Sequence, residues 1–416
     1  ASQMPGVAYR QPMIEGAPGH GEGHNSGQAV NIVAALAVKE IMERENLPGT
    51  IVLWPGIAEE LLGTKAWYDG LFEDVDAVLF THVGRNLGVS WGRARGTGLV
   101  SVEYLFDGEA AHGAGDPWEG RSALDAVELM NIAWNFRREH LHPLQRSHYV
   151  ISNGGDQPNV VPSSASVWYF IREVTADGIL QNFATLQQIA EGAALMSDTS
   201  VTRRIVGAAY PRHFNRPIAL AMDQNIQNVG LPQWSEDDQQ FAKALQTLMG
   251  SEDPQGLATE LSGITPDLEE PISGGSDDIG DVAWNVPTVT LRYPSNVSGL
   301  QGHHWSSAMA MATPIAHKGA VAGAKVIATT MLDLVQSDTL VNEAHSYFDD
   351  VQTADEEYQP FIGPEDPPAI EKNEDIMAEF RPLLQDLYYD PSRYDTYLEQ
   401  LGIDYPQLEA TEIRRN

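Results

Sequence analysis

At 416 residues with 42 % apolar side chains, the chain is long enough for about two or three domains with cores of their own. Its 58 acidic and 25 basic residues leave a formal charge of −33, which repels phosphate backbones and argues against nucleic acid as a partner. The absence of cysteine excludes disulfides, thiolate metal ligands and a cysteine nucleophile, so any metal must be held by histidine and carboxylate.

Ala1 to Gly27 is rich in Gly, Pro and His and reads as a loop without a signal-peptide pattern. It contains Gly19-His20-Gly21-Glu22-Gly23-His24-Asn25. A helix is predicted from about Gly27 to Asn46, stopped by Leu47-Pro48-Gly49. The longest apolar stretch, Val30 to Met42, is broken by Asn31 and Lys39. It falls short of the roughly 18 residues that span a membrane, so it reads as a buried helix and no membrane partner is expected. Ile51 to Trp54 reads as a short strand with Ala58-Glu59-Glu60 just after it. Asp76 to Thr81 reads as another strand, ending at His82. This β–α–β rhythm predicts an α/β fold with a mainly parallel sheet and helices on its faces.

The pattern changes near Gly98. Leu99 to Phe106 alternates as a strand does, Ser122 to His140 reads as a helix, and His148 to Ser152 and Ser166 to Arg172 read as strands. Gln181 to Met196 is a second helix and Ser200 to Val206 a last strand. That order, β-α-β-β-α-β, predicts a small antiparallel sheet with helices on one face. After Pro211 the first pattern resumes, with a core strand at Thr288 to Tyr293 and a long helix at Thr313 to Val335. The chain therefore divides into residues 1–97, 98–211, 212–335 and 336–416. The last part is acidic, aromatic and Pro-punctuated and reads as a packed extension.

Four segments offer metal-type ligands: Glu22 with His24, Glu59-Glu60, His82 and His303. Each is expected at the carboxyl end of a strand or just before a helix, where open α/β sheets place their sites. Carboxylate and imidazole together suit Zn²⁺, Mn²⁺ or Co²⁺. A second carboxylate beside a ligand is suited to proton transfer. Taken singly, each piece has an ordinary structural alternative: Glu-Glu as a solvated helix start, the Gly-His loop as flexible chain, a strand-end His as packing. Spacing alone does not show that they converge.

The motifs resemble a known family. Gly-His-Gly-Glu-Gly-His-Asn before a helix is followed by Leu-Pro-Gly-Thr-Ile, Ala-Glu-Glu and Gly-Leu-Phe-Glu-Asp-Val-Asp-Ala. Later come Gly-Glu-Ala-Ala-His-Gly-Ala (108–114), Gln-Pro-Asn-Val-Val-Pro (157–162), Gly-Asp-Val-Ala-Trp (280–284) and Ile-Ala-His-Lys-Gly (315–319). Over roughly residues 15 to 335 this is similar to the aminoacylase/carboxypeptidase-type dinuclear metallohydrolases, in their amidohydrolase branch. The resemblance implies a zinc-exopeptidase-like catalytic domain, residues 1–97 and 212–335, with an inserted ferredoxin-like dimerisation domain, residues 98–211. The extension is expected to pack on the catalytic domain.

It further implies two divalent metal ions, Zn²⁺, Mn²⁺ or Co²⁺, with one or both positions filled. Glu22, His24, Glu60, His82 and His303 match the ligand positions, with His304 the lesser alternative to His303. Glu22 stands where this branch usually carries a bridging cysteine and other branches an aspartate. His20, two residues from Glu22, is an outside candidate for a ligand. Glu59 matches the general acid/base. His112 matches an oxyanion-stabilising position, and Asn159 and Arg172 match positions around the substrate, some of which reach into a partner subunit's site. A homodimer or higher homo-oligomer is implied. The remaining histidines are assigned to structure or surface. The family also places about three strands and a helix before the metal loop, so a preceding segment is expected.

The function implied is metal-dependent hydrolysis of the amide bond of a small N-acyl or aroyl amino acid or a short peptide-like substrate. Two alternatives stay open on the same residues: hydrolytic deamination of an activated aromatic amine, and a non-catalytic binding or assembly module.

Overall fold

The structure is a computed structural model and describes residues 2–56, 70–268, 272, 274–363 and 365–409. Helix α1 (His24–Glu45) opens the larger unit. Its buried positions, Gly27, Val30, Ala34, Ala35, Val38 and Met42, recur at helical spacing. Only that stripe is covered. Ile32, Val33 and Leu36 are exposed, which corrects the expectation of a buried helix. Residues 51–56 lie in no strand and Val52 is 71 % exposed, so the strand expected at Ile51 to Trp54 does not form. An apolar run becomes a strand only where a neighbouring backbone completes its hydrogen bonds.

Strand β1 (Val78–Gly84) follows, then the short β2 (Gly92–Arg93). The inserted unit runs through β3 (Gly98–Asp107), α2 (Ala123–Arg137), β4 (Arg146–Asn153), β5 (Ser164–Glu173), α3 (Ala176–Ser197) and β6 (Ser200–Ala209). Its four strands pair antiparallel in the order β4-β5-β3-β6. Alternation explains the core: Val100, Val102, Tyr104 and Phe106 on β3, with Val167, Tyr169 and Ile171 on β5, are fully buried on one face. Helices α2 and α3 cover that face with Met130, Trp134, Ile179 and Leu186. Trp134 Nε1 donates to Ser147 Oγ at 2.8 Å, so the largest core side chain leaves no polar atom unpaired. Ser122 and Thr175 cap the two helices by accepting from Asp125 N and Gly178 N.

The chain returns through β7 (His213–Phe214), α4 (Arg216–Val229), α5 (Glu236–Leu248) and α6 (Ile279–Ala283) to β8 (Thr288–Pro294). Strands β1 and β8 are parallel and in register from Val78↔Thr288 to Gly84↔Pro294. Helices α7 (Trp305–Ala308) and α8 (Pro314–Gln336) follow. Leu79, Val83, Val289, Leu291 and Tyr293 form one core with residues of α1, α4 and α8. The fold is thus mixed α/β with a separate antiparallel unit inserted between β2 and β7.

The C-terminal part, α9 (Asp338–Tyr347), α10 (Glu374–Gln385) and α11 (Tyr397–Gln400), packs on both units rather than on the larger one alone. Gln352 Nε2 donates to Ala283 O at 2.7 Å in the larger unit. Phe361 stacks on Tyr210 at 5.0 Å between ring centres, and Ile362 joins the core of the inserted unit. Lys372 pairs with Glu103 at 3.0 Å and Arg204 with Glu371 at 2.6 Å. No helix among the described residues is long and apolar enough to cross a membrane.

Candidate metal centre

His24 is the first residue of α1 rather than part of the loop before it. Gly23 precedes it with φ 74°, and a Cβ there would stand 2.8 Å from Met311 Sδ and 2.9 Å from Val83 Cγ2. Glycine therefore supplies both the left-handed turn and the close approach that aims His24 at β1. Ser26 Oγ and Tyr293 Oη, 2.6 Å apart, tie the start of α1 to β8. Thr81 Oγ1 donates to Asn31 Oδ1 at 3.2 Å and ties α1 to β1.

His82 lies inside β1, two residues before its end, not at the terminus expected from sequence. Its Nε2 faces His24 Nε2 at 3.3 Å, with the rings at 80°. Two imidazoles binding one tetrahedral ion at about 2.0–2.1 Å would hold their nitrogens about 3.3–3.4 Å apart. The observed spacing fits such a pair of ligands. Val83 O lies 2.8 Å from His82 Nδ1, the kind of carbonyl partner that fixes a ligand histidine's ring. Burial, with the Arg292 charge second, pushes the His82 imidazole down to about 4, so it is neutral and able to ligate near pH 7.

Glu22 is within electrostatic reach of Arg292 and contacts His303. Its Oε1 accepts from His303 N at 3.4 Å and lies 3.9 Å from His303 Nε2. His303 has φ 51°, a left-handed conformation uncommon outside glycine, and its side chain is 79 % exposed. His304 is otherwise engaged: its Nδ1 approaches Ser306 Oγ at 2.9 Å at the start of α7. His20 is exposed. Among the described residues no three of His, Cys, Asp and Glu converge closely enough to hold one ion. Glu59 and Glu60 lie outside the described residues.

A group of arginines adjoins the pair. Arg292 is the register partner of His82 on β8, and its Nη1 lies 2.7 Å from His82 Nδ1. Arg212 binds Asp277 through two nitrogens, at 2.9 and 2.7 Å, and this pair is nearly buried. Arg172 donates to Ser276 Oγ at 2.9 Å, beside Asp277, and its buried Nε has no hydrogen-bond partner among the described residues. Burial lowers the pKa of both Arg172 and Arg292.

His112 and Asn159 are placed elsewhere. The two adjoin through Gly113 N donating to Asn159 O at 2.8 Å, and His112 Nδ1 accepts from Ala114 N and Gly115 N. Both residues are exposed, beyond the end of the sheet where Asp107 pairs with Ser164. Arg172 pairs with Leu99 at the other end, eight residues along β5. At about 3.4 Å per residue that is about 27 Å of strand.

The inserted unit matches a family model described as a peptidase dimerisation domain of the M20 group, over residues 95–195. The chain is 33 % identical to one of the subunits of p-aminobenzoyl-glutamate hydrolase from Escherichia coli over 369 residues, 82 % of this chain and 76 % of that protein. The chain belongs to the M20 amidohydrolase family. It is also 25 % identical to the Xaa-Arg dipeptidase of Mus musculus, over 79 % of this chain and 70 % of that protein. A crystal structure of an aminobenzoyl-glutamate utilization protein from Klebsiella pneumoniae shares the fold, with TM-score 0.51 and 19 % identity over 74 % of this chain and 66 % of that one.

Sequence reading of this M20 chain missed Arg212 and Arg292. Arg292 carried a usable signal, a charge inside the apolar run Thr288-Val-Thr-Leu-Arg-Tyr293. A charge in a core strand needs a partner, but its partner depends on register, which the strand alone does not encode.

Proposed function

We propose that the chain hydrolyses the amide bond of a small N-acyl or aroyl amino acid, or of a short peptide-like substrate, with one or two divalent metal ions. The observation that carries this reading is the 3.3 Å approach of the His24 and His82 Nε2 atoms. Glu22 and His303, which contact each other, would add a carboxylate and a third imidazole, a donor set suited to Zn²⁺, Mn²⁺ or Co²⁺ once drawn to the pair. By the family motif, Glu60 adds a ligand and Glu59 is the general acid/base. When bound, the metal supplies Lewis-acid polarisation and lowers the pKa of water.

The chain's own residues do the rest. Glu59 takes a proton from the attacking water and returns it to the departing amine. Arg172, half-buried and with no partner for its Nε among the described residues, is suited to hold the substrate's carboxylate. His112 and Asn159 lie in loops beyond the Ser164 end of β5, and Arg172 is about 27 Å along that strand from Ser164. That separation supports a homodimer in which they serve the partner's site, His112 stabilising the oxyanion. A relative named as acting on p-aminobenzoyl-glutamate and others named Xaa-Arg dipeptidase favour substrates whose leaving amine is an amino acid.

The test is a product screen of the metal-supplied chain against aroyl-glutamate, acyl-aspartate and Xaa-Arg amides. Release of the free amino acid together with the matching carboxylic acid is expected for at least one class. Failure to cleave any of them with metal bound refutes the reading.

A further inference from the structure

The Nδ1 atom of His82 is claimed by two groups that need it in opposite states. Val83 O, 2.8 Å away, can only accept and requires a proton on Nδ1. Arg292 Nη1, 2.7 Å away, can only donate and requires the lone pair there. A neutral imidazole carries one ring proton, so the choice at Nδ1 decides what Nε2 presents to His24, 3.3 Å away. With the proton on Nδ1, Nε2 offers a lone pair and both histidines can face one ion. With Arg292 satisfied, the proton sits on Nε2 and is donated to His24. A closed chain then runs from Arg292 through His82 to His24, and His82 has no lone pair left for a metal.

We propose that Arg292 is a positioning residue that competes with the divalent ion for His82. The inference rests on the reading of the site as a metal centre. The contact is built into the fold, because the β1–β8 register sets His82 opposite Arg292 and a one-residue slip would separate them. Groups behind a ligand histidine are ordinarily acceptors, carboxylate or carbonyl, which raise its basicity. A guanidinium in that place does the reverse and also repels the incoming cation. Asp277 and Glu22 lie close enough to attract Arg292, while Arg212 repels it. When the ion takes His82, Arg292 withdraws from Nδ1, and the protonated Nδ1 donates a hydrogen bond to Val83 O.

The test is calorimetric titration of Zn²⁺ and of Mn²⁺ into the metal-depleted full chain, as wild type, Arg292→Met and Arg292→Lys. Arg292→Met is expected to bind roughly 10- to 100-fold more tightly, the usual span of a changed partner behind a ligand. Arg292→Lys, which keeps the charge, should gain less. Equal or weaker binding by Arg292→Met overturns the proposal. Should that variant fail to fold, the ¹⁵N spectrum of His82 in the metal-free wild type decides. An Nε2-protonated ring is expected, and an Nδ1-protonated ring overturns the competition. The wild-type titration separates the two levels. If neither wild type nor variant takes up metal, the reading of the site fails and takes the proposal with it. If the wild type binds and Arg292→Met merely equals it, the proposal alone fails.

Discussion

At the residue scale, the chemistry rests on a few side chains whose roles differ by charge and proton. Glu59→Gln keeps the shape of the side chain but cannot accept a proton. It is expected to retain metal and to lose about 10²–10⁴-fold in kcat. If Glu60 is the ligand proposed for it, Glu60→Gln removes a negative charge from the metal, so metal affinity should fall first and excess metal should restore part of the turnover. Bound metal and kcat measured on both variants check this; a Glu59→Gln protein with full kcat would show that another group is the base. Glu22 shows how much a single position can and cannot tell. It lies two residues before His24, and its Oε1 accepts from the His303 backbone. The family motif alone connects it to a bridging role.

At the element scale, the site depends on how α1 is delivered to β1. Gly23→Ala would place a methyl within 3 Å of Met311 and Val83 in a left-handed backbone, at a cost of about 1–2 kcal/mol for the backbone alone. A lower urea midpoint and weaker metal uptake are expected together, since His24 would be displaced. Undiminished metal affinity would show that α1 has freedom to adjust. The inserted sheet was legible because alternation along Leu99 to Phe106 marks one face, and burial of β3 follows it from Val102 onward, the residues before it being buried on both faces. The start of α1 was not: the Gly-rich segment hides that His24 already has helical geometry. Ile51 to Trp54 has the composition of a strand, but strand formation is decided by a neighbour and not by composition. The grouping of Arg212 and Arg292 near His82 was illegible for a related reason, since it depends on the return of the chain to β8.

At the scale of the whole molecule, the C-terminal segment joins the two units at their junction. Asp281, buried there, accepts from Tyr210 N at 3.0 Å and from Tyr358 Oη at 2.8 Å. Burial pushes its carboxyl up to about 7, above the value near 3.9 of an unfolded chain. Between those values the folded state holds a proton that the unfolded state releases. Stability therefore falls as pH rises from about 4 to about 7 and levels off above. Urea unfolding across that range should show the slope, and Asp281→Asn should remove it; a slope unchanged in the variant would assign it to other groups. Phe361→Ala, which strips a ring from Tyr210, should speed hydrogen exchange at residues 207–212, the end of β6 and the turn after it, without changing β3 and β5. The assembly is tested by sedimentation: a homodimer is expected at working concentration, and a fully active monomer would leave His112 and Asn159 without a site to serve. The central claim is that His24 and His82 hold a divalent ion needed for amide hydrolysis. Its most direct test is turnover of an amide that the product screen finds to be cleaved, by one preparation before chelation, after chelation and after return of Zn²⁺ or Mn²⁺, beside His82→Ala treated identically. The account predicts activity that disappears with the metal and returns with it in the wild type, and none at any stage in His82→Ala. Turnover that survives chelation, or that His82→Ala retains, would contradict it.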